Sequence, residues 1–305
     1  NDRWGILIGG RLDKNNMVDN VIFSPRANLR FNPTQNINVR LSYSSGFRAP
    51  QAFDEDMHIE NVGGTVAMIE RAKNLKEEKS QSFSASADMY HRFGVFQTNF
   101  LIDTRLTDVF VLGEPYDRGD GILVKTRSNG PGAKVMGLTL EGKVAYLSIL
   151  QIQAGLTLQR SRYDEPHKWH DDAPAEKKIF RTPDTYGYFT ATYTPIKPLS
   201  IALSGTYTGR MLVQRMDITA ENAELGAMPE RKAEAIRTPR FFDLGVKLAY
   251  DFKLCKTVDL QLNGGVQNLF ESYQKDFDRG ANRDSGYIYG PSLPRSFFAG
   301  VKISY

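Results

Sequence analysis

The chain has 305 residues, 41% hydrophobic and 24% charged, with a formal net charge of +4 and a mean hydropathy of −0.41. No window approaches the ~18 consecutive apolar residues of a membrane-spanning helix, so helical spans are excluded. Acidic and basic residues are intermixed and the net charge is small, which leaves no nucleic-acid footprint.

The predicted elements are strands, read from apolar residues alternating with polar ones at period two. Trp4, Ile6, Ile8 and Leu12 alternate with Gly5, Gly9 and Arg11 in the first. Ala27, Leu29 and Phe31 follow against Arg26, Asn28 and Arg30, and Asn32–Asn36 is a short turn by composition. Ile37, Val39, Leu41 and Tyr43 then oppose Asn38, Arg40, Ser42 and Ser44. After a long irregular stretch, Phe47–Lys79, the residues Phe83, Ala85, Ala87 and Met89 alternate with Ser82, Ser84, Ser86 and Asp88. Phe93-Gly94 turns directly into Phe96, Phe100, Ile102 and Leu106, set against Gln97, Asn99, Asp103 and Arg105.

Val111–Gly132 is a second long irregular stretch, followed by the strand of Leu138, Leu140, Val144 and Tyr146. A turn at Leu147–Ile149 leads to Leu150, Ile152, Leu156 and Leu158, opposite Gln151, Gln153, Thr157 and Gln159. Asp164–Asp184 is irregular, and Thr185–Thr194 is a strand that alternates poorly. Pro195–Pro198 turns into Leu199, Ile201, Leu203 and Tyr207, and Arg215–Arg237 reads as loop. Phe242–Val266 is the clearest hairpin, Phe242, Leu244, Val246, Leu248, Tyr250 and Phe252 lying on one face and Leu260, Leu262 and Val266 returning. After Leu269–Pro294 the chain closes on Phe297, Ala299, Val301, Ile303 and Tyr305.

The pattern therefore predicts about twelve antiparallel strands and no core helix. Short turns and long connections alternate strictly. Long structureless connections normally count against a compact domain, but a transmembrane β-barrel has short turns at one rim and long loops at the other. Strands of about ten residues also suit an apolar band of roughly 25 Å. The predicted fold is all-β, an antiparallel transmembrane barrel. Its lumen would carry Arg26, Arg30, Arg40, Asp88, Arg92, Glu141, Lys143, Asp243, Lys247, Asp251, Lys253 and Asp259, suited to water or to a polar plug. The single cysteine, Cys255, excludes an internal disulfide framework. The start at Asn1, without Met or a signal sequence, is what a processed or excised chain would show and does not argue against export.

Four stretches carry a family resemblance. Leu41-Ser42-Tyr43-Ser44-Ser45-Gly46-Phe47-Arg48-Ala49-Pro50 resembles an S-x-G-F-R-A-P segment, where a strand leaves the wall for a long outer loop. Leu75-Lys76-Glu77-Glu78-Lys79-Ser80 is similar to L-K-P-E-x-S, with Glu77 in place of the proline. Val266-Gln267-Asn268-Leu269-Phe270 with Tyr273 resembles V-x-N-L-F-x-x-x-Y, and Gly290-Pro291-Ser292-Leu293-Pro294-Arg295 a closing G-x-x-x-P-R. These are motifs of the C-terminal half of TonB-dependent outer-membrane receptors, and here they stand in the family's order.

The resemblance implies a barrel of about 22 strands around a plug. Residues 1–305 would be its C-terminal portion, without the plug domain or the N-terminal strands. It implies an outer-membrane importer, not an enzyme, that takes a scarce solute (an iron–siderophore, haem or a corrinoid) to the periplasm. The implied partners are outer-membrane lipid, that ligand, and the TonB energy-transducing complex acting through the plug; no cofactor is implied. Substrate would be bound by outer loops and the plug apex, which makes Trp169, Arg210, Arg215, Tyr273, Tyr287 and Tyr289 the ligand-binding candidates. His167 and His170 are metal candidates, though a solvated loop explains them as well. Asp54-Glu55-Asp56 lacks the spacing of a calcium loop, and His58 and His91 have no partner in the pattern. Alternative readings are a stand-alone porin, an outer-membrane hydrolase with no wall histidine to serve it, and a soluble sandwich.

Overall fold

The structure is a computed structural model describing residues 3–18, 20–50, 67–113, 116–119, 122–170, 172–218, 231–255, 257–279, 283–284 and 286–304. In chain order its strands are β1 (Trp4–Asp13), β2 (Ile22–Thr34), β3 (Ile37–Arg48), β4 (Ala67–Arg71), β5 (Glu78–His91), β6 (Gly94–Thr107) and β7 (Phe110–Leu112). β8 (Tyr116–Asp117), β9 (Leu123–Asn129), β10 (Ala133–Tyr146), β11 (Leu150–His167), β12 (Glu176–Lys178) and β13 (Thr185–Ile196) follow. The last six are β14 (Leu199–Thr208), β15 (Leu212–Ile218), β16 (Arg231–Arg237), β17 (Phe241–Lys253), β18 (Asp259–Gln267) and β19 (Ser296–Ser304).

One 13-stranded sheet runs β1-β2-β3-β5-β6-β10-β11-β13-β14-β17-β18-β19, with β12 attached to β11; thirteen less that one leaves twelve wall strands. All neighbours along this path are antiparallel, and each strand follows its predecessor in the chain or is separated from it only by loop strands. Among the described residues β1 pairs only with β2 and β19 only with β18, so the sheet is open at both edges.

Register turns the alternation into continuous rows. One runs Ile6, Leu29, Leu41, Ala85, Phe100, Leu138, Leu158. Another runs Val144, Ile152, Ala191, Leu203, Val246, Val266, Phe297. A sandwich would bury such rows; here they are open, with Ile6 74%, Phe100 49% and Phe297 79% exposed. An apolar face that is left uncovered over a dozen strands is the lipid-facing surface of a barrel wall. The buried hydrophobic cluster is small, Met211, Val213 and Tyr287 with Ile236 and Tyr289 packed against it, and it lies among the loops.

Several expectations from sequence need correction. Asp164–Asp184 is not wholly irregular, since β11 runs on to His167 and β12 pairs with it. Asp103 and Arg105 do not share the face of Gln97 and Asn99, because a bulge in β6 sets them opposite Phe83 and Gln81. Arg215–Arg237 is not plain loop: β15 and β16 pair in register from Leu212↔Arg237 to Ile218↔Arg231. The stretches within 47–79 and 111–132 hold β4, β7, β8 and β9, which form a second, four-stranded sheet. In it β4 pairs parallel with β9, although the two belong to different connections. Backbone amides and carbonyls in a long connection need partners, and pairing supplies them; strands of two to seven residues are too short to show a period. Asp54, Glu55, Asp56 and His58 lie outside the described residues.

β13 forms a full strand although its sequence alternates poorly. Its polar face carries Tyr186 and Tyr188, and the Tyr188 hydroxyl donates to Glu141 Oε1 at 3.0 Å and accepts from Gln153 Nε2 at 3.1 Å. Gly155, directly opposite Tyr188, leaves room for the ring: a Cβ there would lie 2.6 Å from it.

Candidate functional site

Strand β17 ends at a short turn, β18 returns, and the chain then leaves the wall for the connection 268–295. Asn268 fixes that departure. It is 3% exposed, its side-chain amide donates to Leu293 O at 2.9 Å, and its Oδ1 accepts from Ser272 N at 2.8 Å. The two ends of the connection are thus tied at one residue, whose left-handed φ of 48° an asparagine tolerates.

Within the connection, Gln274 is 1% exposed. Its Nε2 donates to Tyr287 O at 3.0 Å, and its Oε1 accepts from Tyr289 N at 2.8 Å and Gly290 N at 3.3 Å. That places the phenols of Tyr287 and Tyr289 side by side, centroids 5.2 Å apart. Both donate to one carboxylate: Tyr287 to Asp276 Oδ2 at 2.9 Å, Tyr289 to Asp276 Oδ1 at 2.6 Å.

The β15–β16 hairpin leans on this group. Arg215 pairs with Asp278 at 3.0 Å and lies over the Tyr287 ring at 5.0 Å, and Met216 N donates to Asp284 Oδ2 at 2.8 Å. From the connection after β12, Arg181 reaches Ile288 O at 2.7 Å and Gly286 O at 2.5 Å. Three connections therefore meet at one polar knot.

The charges respond. Burial, reinforced by hydrogen bonding to the Asp276 carboxylate, pushes the Tyr287 phenol up to about 12. Burial and the same carboxylate raise Tyr289 too. At Asp276 burial is the largest single influence and opposes ionisation, but the two phenol donors, its own amide and Gln274 outweigh it and hold the carboxyl below its ordinary value. The arrangement is one buried-edge anion clasped by neutral donors, flanked by a guanidinium.

Of the sequence candidates, Arg215, Tyr287 and Tyr289 come together here. Tyr273 sits on the same connection under Lys275, 5.3 Å from its ring. Arg210 is exposed between β14 and β15. Trp169 lies tilted against His170 at 5.8 Å and edge-on to Phe180, the residue before Arg181, at 6.4 Å. His167 packs on Tyr163 at 5.5 Å and His170 lies 3.7 Å from Asp172. Among the described residues no three or more His, Cys, Asp or Glu side chains gather around a common point. Gln274, Asp276 and Arg181 were not singled out by sequence; each acts at long range across loops, where no period or spacing marks it.

A second polar group lines the inner face of the wall. Asp88, 3% exposed, pairs with Arg40 and accepts from Gln97 Nε2 at 3.3 Å. With Glu141 and Thr139 these border a shallow recess of about 200 Å³.

No curated protein matches this sequence. Solved structures do. The siderophore receptor PirA from Acinetobacter baumannii superposes with a TM-score of 0.69 at 14% identity, covering 100% of this chain and 44% of that one. The ferric enterobactin receptor PfeA from Pseudomonas aeruginosa gives 0.66 at 18%, covering 99% and 42%. The ferric-catecholate import receptor Fiu from K12 E. coli gives 0.61 at 18%, covering 93% and 35%. At such identity the likeness is one of fold, and the chain spans less than half the length of each receptor. Residues 1–269 match the family described as TonB dependent receptor-like, beta-barrel. With twelve antiparallel wall strands turning their apolar rows outward, the chain belongs to that family.

Proposed function

We propose that this chain is the C-terminal portion of the barrel of an outer-membrane receptor that imports a scarce solute into the periplasm with TonB-coupled energy. The observation that carries the reading is the two-faced wall: apolar rows exposed on one side, and on the other a charged lining in which Asp88, Arg40, Glu141 and Tyr188 are held by hydrogen bonds. Such a lining is suited to a polar plug. The receptors that share the fold are named for siderophores, ferric enterobactin and ferric catecholate, which favours an iron–siderophore complex over haem or a corrinoid. The reading assigns the barrel to transport rather than bond chemistry.

Trp169, Arg210, Arg215, Tyr273, Tyr287 and Tyr289 belong to the outer connections that would meet the ligand. Arg215, Tyr287 and Tyr289 would act chiefly by shaping those connections, since each is engaged by Asp278 or Asp276.

Uptake of radiolabelled ferric siderophores by cells with and without the full-length receptor tests this. Loss of uptake on deleting the receptor, and equally on deleting TonB, is expected. Uptake that survives without TonB, together with steady conductance in planar bilayers, would replace the importer with a porin.

A further inference from the structure

One strip of the inner face runs down β1, β2, β3 and β5. Nearest the looped rim, Gly46 stands opposite Ser80, just below the Arg48–Glu78 pair at which β3 leaves the wall. In the next row Gly9 faces Arg26, Arg26 faces Ser44 and Ser44 faces Ser82. Below it Asn28 faces Ser42 and Ser42 faces Ser84. Lower again, Gly5 faces Arg30, Arg30 faces Arg40 and Arg40 faces Ser86. These positions alternate with the outward row of Ile6, Leu29, Leu41 and Ala85, so they belong to the lumen side.

The acids of the lining are engaged. Asp88 is held by Arg40 and Gln97, Glu141 by Tyr188, Asp251 by Gln261, and Asp243 by the Asn268 amide. Arg26 and Arg30 differ: both are exposed and, among the described residues, have neither a hydrogen bond nor an ion pair. Arg30 also faces the like charge of Arg40, which disfavours the pairing unless an anion is shared between them. Each of the two lies over a glycine of β1. Arg26 Nε is 3.0 Å from where a Cβ on Gly9 would stand, and Arg30 Nε 3.3 Å from one on Gly5. Bare backbone there lets each guanidinium lie low against the wall. Beside them Ser42, Ser44, Ser80 and Ser84 make no side-chain hydrogen bond among the described residues, so their hydroxyls are free to rotate and donate.

We propose that this strip is a lumenal track for an anionic solute, a ferric chelate with negative charge on oxygen, which Arg26 and then Arg30 hold after it leaves the outer connections. The inference rests on the importer reading and adds to it the charge of the cargo and a route along the wall. The two arginines are four residues, about 13 Å, apart along β2. Guanidinium donors fork onto paired oxygens, while exposure keeps each hold weak. A passage needs that combination, binding strong enough to admit the solute and weak enough to release it. A solute fits the strip better than a plug side chain does. The lining that would seat a plug is fixed in advance, as at Asp88–Arg40 and Glu141–Tyr188, whereas free arginines among rotatable hydroxyls on a glycine floor fix no register. The strip also begins at the looped rim, where the ligand would arrive.

The test has a labelling arm and a transport arm, both on the full-length receptor. Arginine labelling with phenylglyoxal, read by mass spectrometry, should reach Arg26 and Arg30 in the receptor alone. The negatively charged ferric complex of 2,3-dihydroxybenzoate should slow labelling at both about threefold or more, and the neutral ferric acetohydroxamate should not. In cells, R26Q/R30Q should lower the TonB-dependent uptake rate of the anionic complex about three- to tenfold. Its affinity at the cell surface, measured in cells lacking TonB, should stay as it was. R26K/R30K, which keeps the charge, should retain most of the rate, and R160Q, beyond Leu158 on the outward face of β11, all of it. Arginines shielded from the reagent without any chelate would make them plug contacts and overturn the proposal. Equal protection by the neutral complex, an unchanged uptake rate in R26Q/R30Q, or surface affinity that falls in step with uptake would each overturn it as well. Failure of the unaltered receptor to take up either complex would count against the importer reading alone, since the labelling arm decides the track without transport.

Discussion

Arg48 and Glu78 belong to two separate sequence motifs, yet they stand opposite each other in register and are paired at 3.0 Å. Glu78 also accepts from Phe110 N at 3.1 Å, and Arg48 lies 4.9 Å from the Phe110 ring. Asn268 and Arg295 repeat the arrangement at the other end of the chain: Arg295 pairs with Glu271 at 3.3 Å while Asn268 holds Leu293. The motif residues anchor the points where loops leave the wall. The knot above them titrates on its own terms. Tyr287 should remain protonated between the ordinary phenol value of 10.0 and about 12, and Asp276→Asn should bring it down by removing the carboxylate. Because the folded value is raised, the stabilisation is complete below 10.0 and is lost as pH rises through about 12. Asp276 runs the other way: its folded value is lowered, so its contribution holds above the ordinary 3.8 and fades as acid takes the carboxylate through the lowered value. Phenolate absorbance of the receptor and its Tyr287→Phe variant, recorded against pH, checks the first statement; a Tyr287 that ionises near 10.0 contradicts it.

At the level of elements, each wall strand has one face for lipid and one for the lumen, and neighbouring positions should respond oppositely to charge. Leu203 is outward in the row with Ala191 and Val246, whereas Ser204 is inward. Leu203→Arg should cost about 2–4 kcal/mol near the midplane. Ser204→Arg should stay within about 0.5 kcal/mol. Urea unfolding of the receptor in lipid vesicles measures both, and equal costs would mean that the faces have been assigned wrongly. These faces were legible in the sequence because burial by lipid imposes strict alternation, as in Phe242–Phe252. β13 was hard to read because Tyr186 and Tyr188 put aromatic rings on the lumen side, where the Tyr188 hydroxyl meets Glu141 and Gln153. The loop strands were not legible, since β7 and β8 are three and two residues long. The site was read in part: Arg215, Tyr287 and Tyr289 are aromatic or basic residues in a loop, but nothing local marks Gln274 as the residue that sets their spacing.

The whole molecule combines a wall held by continuous backbone pairing with connections held by short strand pairs and, between one connection and the next, by side chains. Arg181, from the connection after β11, grips two carbonyls of the connection before β19. Arg181→Ala should speed amide exchange around Tyr287–Gly290 by about tenfold or more, corresponding to loss of charge-assisted hydrogen bonds, while amides of β10 and β14 exchange as before. Hydrogen exchange read by mass spectrometry decides it; uniform acceleration over wall and connections would mean the two are not separable. On the other side of the mouth the parallel pairing of β4 with β9 has a consequence for how such a protein can diverge. Adding or losing one residue inside Ala67–Arg71 would shift every pair beyond the change, among the partners Leu123 to Arg127, onto the wrong side. Descent would therefore change these two segments together, in length and in pattern, or leave both alone, while the crests of neighbouring loops are free to drift singly.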